Sequence, residues 1–112
     1  MATKNRTVGK KLAVTNSTIY TAPSRFEANI ESIIISNASA AAVKVSLDWY
    51  DSASSTFYTI TELLAMAPNS MVQIKDGFWL QPNDTLRGLS TVVDVISISV
   101  RVREEYLTAC PQ

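Results

Sequence analysis

The sequence predicts an all-β fold, an antiparallel β-sandwich of about eight strands with the jelly roll as one topological variant. Three observations predict it: two runs that alternate strictly between apolar and polar residues, turn sequences at short intervals, and no long stretch of helical period. Successive side chains of a strand point to opposite faces, so apolar residues two apart mark a half-buried strand. An amphipathic helix would need them three and four apart.

Val43, Val45, Leu47 and Trp49 alternate with Lys44, Ser46, Asp48 and Tyr50. Ile96, Ile98, Val100 and Val102 alternate in the same way with Ser97, Ser99, Arg101 and Arg103. Both runs are predicted strands. Residues 30–36 hold Ile33, Ile34 and Ile35 in succession and are therefore apolar on both faces. That pattern predicts a central strand whose second face is also covered, a neighbouring subunit being one candidate cover. Further strands are expected over residues 11–15, 18–21, 56–61, 71–75, 78–80 and 85–89.

The punctuation between them is specific. Ala22-Pro23-Ser24, Ala67-Pro68-Asn69-Ser70 and Gln81-Pro82-Asn83-Asp84 use the fixed φ of proline and the left-handed tolerance of asparagine. Asp76-Gly77, between Ile74 and Phe78, is the best tight-hairpin candidate, since a primed turn demands positive φ. Residues 38–42 and 61–66 have helix-friendly composition but are too short to hold a helix alone. The first reads as a loop, the second as a single helical turn or another strand.

At 112 residues the chain suffices for one domain. Its 46% hydrophobic and 18% charged content is that of a globular protein. Ten basic and ten acidic residues cancel, so no overall field draws the chain to nucleic acid or anionic membrane, and neither is an expected partner. Residues 1–10 form an extended basic N-terminal arm, 11–106 the sandwich domain and 107–112 a C-terminal tail. The arm and the residue after it carry Lys4, Arg6, Lys10 and Lys11 with no acid among them. It is either a frayed tail or a segment that becomes ordered on a neighbouring subunit. The single cysteine, Cys110, can form no internal disulfide. The polar, basic start does not read as a signal peptide, and no apolar run approaches the ~20 residues of a membrane helix. Synthesis in a cytoplasm without standard export is the expectation.

Chemistry-bearing patterns are scarce. The chain has no histidine, which removes Ser-His and Cys-His nucleophile pairs and the commonest transition-metal ligand. Asp48 and Asp51 flank Trp49-Tyr50, but the first falls on the polar face of a strand and the second opens a loop, where aspartate bonds backbone amides. Asp48, Asp51, Asp76 and Asp84 lack calcium-loop spacing. No catalytic, cofactor-binding or metal-binding residue is therefore expected. Glu104-Glu105, beside Arg101 and Arg103, reads as a solvated strand end. Trp49 shares a face with Val43, Val45 and Leu47 and is expected in the core. Tyr50, Tyr58 and Trp79, together with Lys4, Arg6, Lys10 and Lys11, make up the candidate interaction surface.

Ile19-Tyr20-Thr21-Ala22-Pro23, Ile30-Glu31-Ser32-Ile33, Ser36-Asn37 and the run from Val43 to Trp49-Tyr50-Asp51 form a recognisable series. Ala67-Pro68-Asn69-Ser70 and the run from Leu80 through Asn83-Asp84 to Leu86 extend it, with Asn83 standing where glycine is commoner. Over about residues 14–103 the chain thereby resembles the small β-sandwich accessory proteins of tailed-phage virions. The resemblance implies a structural virion protein assembled in the host cytoplasm. Its most favoured form is a capsid decoration or cement protein that bridges capsid subunits as a homo-oligomer, a trimer above all. Its partners would be the major capsid protein or other virion proteins. A tail or head–tail component is the alternative within that class. Outside it stands a carbohydrate-binding adhesin module, in which Tyr50, Tyr58 or Trp79 would stack on sugar rings beside Asn, Asp or Gln.

Overall fold

The structure, a computed structural model, describes residues 3–75 and 77–106. It contains nine strands among the described residues: β1 (Thr3–Lys11), β2 (Ser17–Thr21), β3 (Phe26–Asn37), β4 (Val43–Asp51), β5 (Thr56–Met66), β6 (Met71–Ile74), β7 (Phe78–Leu80), β8 (Thr85–Ser90) and β9 (Ile96–Tyr106). One sheet has the order β1-β9-β3-β6, with β7 also on β3, and the other the order β2-β8-β4-β5. Every pairing is antiparallel. Strands that alternate in this manner between two packed sheets form a jelly roll.

β4 and β9 bear out the alternation. Val43, Val45 and Leu47 are buried from one sheet, and Ile96, Ile98, Val100 and Val102 from the other. β3 is central in its sheet, as the isoleucine run requires, and a bulge between Ile30 and Ser32 resets its alternation. Ile30, Ile33 and Ile35 then all enter the core, while Ile34 lies half-buried on the outer face. Residues 61–66 continue β5 as a strand, with register shifts against β4 and Leu63 at φ 52°. The turn asparagines Asn69 and Asn83 adopt φ of 53° and 71°, the left-handed conformation that their turns need.

Two expectations are corrected. Residues 11–15 are not a strand: β1 ends at Lys11, and fully buried Leu12 leaves the sheet with its amide donating to the Ile96 carbonyl. β6 and β7 do not pair with each other as a hairpin. β6 and β7 pair antiparallel with successive stretches of the same strand, β3, so they run in one direction as a single interrupted strand. Gly77 does not have positive φ; it is needed because a Cβ there would overlap the Ile30 carbonyl oxygen. Asp76, Cys110 and the rest of the tail at 107–112 lie outside the described residues.

The loops gather at two poles. Loops 12–16, 38–42, 67–70 and 91–95 share one pole. The opposite pole holds turns 22–25, 52–55 and 81–84, together with Thr3 and its cross-strand partner Glu105.

Candidate functional site

The four cations sit on β1, an edge strand paired with β9 along its whole length. Lys4, Arg6, Val8 and Lys10 lie opposite Glu104, Val102, Val100 and Ile98, whose side chains are buried, so these residues share the core-facing side at the rim; Lys11 points the other way. Arg6 Nη1 donates to Glu104 Oε2 at 3.2 Å, and Lys4 Nζ stands 5.5 Å from the Phe26 ring centroid. Inward-pointing charge on an edge strand keeps it from pairing with another chain. Over its described part, then, the basic segment closes one rim of the sandwich.

Glu104 is not the solvated strand end expected. It is 2% exposed and accepts hydrogen bonds from Arg6 and from the Tyr20 hydroxyl. Burial, reinforced by the bond to Glu104 and by its charge, pushes the Tyr20 hydroxyl well above the usual tyrosine range.

Tyr50, Tyr58 and Trp79 do not form one platform. Tyr50 is on the outer face of the β2-β8-β4-β5 sheet, 4.7 Å from Phe57 between ring centroids. There Arg87 makes a bidentate pair with Asp48 at 2.7 and 2.9 Å and lies 3.7 Å over the Phe57 ring. The bond to Asp48 raises the Arg87 pKa above its usual value. A shallow hollow of about 230 Å³ opens among Thr18, Tyr50, Phe57, Thr85 and Arg87. Tyr58 is at the rim opposite β1, stacked on Trp49 at 5.1 Å; Trp49 in turn lies 6.5 Å from Phe78. Trp49 is thus half-buried against the core and bridges the two sheets at their open side. Trp79 projects from the outer face of the other sheet, 42% exposed.

The acidic residues serve turns and pairs. Asp51 Oδ1 accepts from the Ala53 amide at 3.1 Å. Buried Asp84 accepts from the amide and hydroxyl of Ser52 and from the Gln81 amide. Among the described residues no group of three or more His, Cys, Asp or Glu side chains could hold a metal ion, and no helix is long and apolar enough to cross a membrane.

Sequence reasoning missed the pole formed by loops 12–16, 38–42, 67–70 and 91–95. Val14, Val92 and Val93 are 55%, 42% and 53% exposed there, and Ala38, Ala40, Ala41 and Ala42 are exposed beside them. Backbone bonds stitch the loops into one unit: Ser90 to Ala13, Asp94 to Leu12, Ala38 to Val95 and Asn69 to Ser39. The buried Asn37 amide adds bonds to the carbonyls of Ala41, Met66 and Ala67 at 3.0, 3.3 and 3.1 Å. The signal available in the sequence was apolar residues in ASAAA, read as a loop, and in TVV, which falls between two expected strands.

No protein-family model and no curated protein matches the chain. Among solved structures, the chain is similar to a protein of Bacillus endospore appendages, described as disulfide-linked pili, at 14% identity and TM-score 0.58, covering 96% of this chain and 88% of that one. It is also similar to a chain of the IBDV viral particle at 6% identity and TM-score 0.54, covering 94% of this chain and 36% of that one. A pentameric capsid protein from metagenomic phage sequences aligns more loosely, at 15% identity and TM-score 0.45 over 88% of this chain and 60% of that one. At such identities the first two likenesses establish the fold alone, an antiparallel β-sandwich.

Proposed function

We propose that the chain is a structural, non-enzymatic virion protein of a tailed phage, a decoration protein that binds the capsid as a homotrimer and bridges its subunits. The observation that carries this reading is the stitched apolar pole. Single exposed apolar side chains are ordinary, but apolar side chains on several loops that inter-loop hydrogen bonds hold together at one pole suit a contact surface. Here Val14, Val92, Val93 and the alanines of 38–42 would meet the capsid lattice. A rigid sandwich with balanced charge suits that work, because lattice repetition multiplies each modest contact. The jelly-roll topology supports the reading too, being a recurrent architecture of capsid domains.

The test is immunogold labelling of purified virions with antibody against the recombinant domain. Label spread over the head supports decoration, and label confined to the tail moves the protein to the tail apparatus. No label on particles that a capsid antibody decorates overturns the virion reading.

A further inference from the structure

The outer face of the β1-β9-β3 sheet carries one exposed indole among mainly polar side chains, with Ile34 half-buried farther along β3. Trp79 on β7 lies directly across from Asn29 on β3, Asn29 from Arg103 on β9, and Arg103 from Asn5 on β1. Side chains in one cross-strand row leave the sheet on the same side. The flanking residues Ala28, Ile30, Leu80, Val102 and Glu104 are buried, so this row faces outward. With strands about 4.8 Å apart, it runs roughly 14 Å across the sheet.

The charges on this face compensate one another. Arg103 has Glu105 at 3.3 Å and Glu31 at 4.0 Å, and Arg101 has Glu31 at 3.9 Å. Glu27, opposite Glu105, and Lys11 at the far end of β1 share this face, so its three cations and three carboxylates cancel and the face as a whole carries no net charge to select an anionic or a cationic ligand. The Arg103 guanidinium carbon stands 5.8 Å from the Trp79 centroid, and the indole remains 42% exposed. A protein contact centred on Trp79 would want apolar neighbours around it. Its row supplies two amides and an ion-paired guanidinium instead.

An aromatic face for the C–H side of a sugar ring, followed by side-chain amides that both donate and accept, is complementary to hydroxyl-rich, uncharged chains. We infer that the row Trp79–Asn29–Arg103–Asn5 is a binding site for a neutral oligosaccharide, one ring stacked on Trp79 and the next lying over Asn29 toward Arg103 and Asn5. The site is independent of the apolar pole and of the virion reading. It gives the domain a second activity, attachment to an uncharged polysaccharide surface.

The experiment is calorimetric titration of the intact protein with neutral hexasaccharides of glucose, galactose and N-acetylglucosamine, and with a heparin-derived hexasaccharide as the anionic probe. The expected result is saturable binding of at least one neutral probe. Trp79→Ala should weaken it about tenfold or more and Asn29→Ala several-fold, with the Tm of both variants unchanged. No saturable binding of any neutral probe overturns the proposal. So does binding that survives Trp79→Ala, or binding of the heparin probe alone.

Discussion

The Tyr20 hydroxyl and the Glu104 carboxylate meet inside the sandwich, joining β2 of one sheet to β9 of the other. Arg6 reaches the same carboxylate from β1, so one buried acid ties three strands together. Tyr20→Phe removes a donor and leaves Glu104 underpaired in a buried place. The expected loss is about 1–3 kcal/mol, read from the urea midpoint at constant m.

The same pair sets a pH dependence. The native state holds the Tyr20 proton to higher pH than a free tyrosine does, while the unfolded chain releases it near its ordinary value of about 10. Where the folded form keeps a proton that the unfolded form loses, stability falls as pH rises. This contribution is therefore complete below about pH 10 and shrinks above it. In Tyr20→Phe the alkaline decline should be shallower than in the parent; equal slopes would assign the decline to another group.

Gly77 fits against β3 where no side chain can. Gly77→Ala should cost about 1–3 kcal/mol, because the added methyl meets the Ile30 carbonyl oxygen. A thermal melt within a degree of the parent would mean that β7 can shift away from β3.

Trp49 is stacked between Tyr58 and Phe78 but only half-buried. Trp49→Ala should lose about 2–4 kcal/mol, toward the low side of a fully enclosed aromatic. A loss below about 1 kcal/mol would show that the stack contributes little to the fold.

Deleting residues 1–10 strips β1 from β9. The expected outcome is a Tm lower by several degrees together with self-association on size-exclusion chromatography, since the β9 edge is bared and Glu104 loses Arg6. A monomeric product with the parent Tm would mean that this pairing adds no net stability.

The strands that were legible in the sequence are those with one buried face. In β4 and β9 a one-residue slip would turn every apolar side chain to solvent, so burial writes itself into the alternation. β1 has no such pattern: eight of its nine residues are not apolar, and only Val8 packs against the core. Its place comes from backbone pairing, which any sequence can make. Gly77 looked like turn chemistry because a close approach and a positive φ select the same residue. Of the aromatic candidates, Tyr58 and Trp79 are exposed and Tyr50 is half-buried. Alternation says only that a side chain faces away from its neighbours, not which sheet or rim receives it. Three surfaces were thus read as one. The apolar pole was hidden because its loops meet only in three dimensions.

The register that sets Thr3 beside Glu105 has a practical consequence. A short linker between these positions could join the chain into a ring, and the exposed turn at 53–55 offers a place to cut it anew. A passenger peptide fused at either position would emerge at the pole opposite Val14, Val92 and Val93. A shell coated through that valine cluster would then present its cargo outward, one copy for every bound subunit.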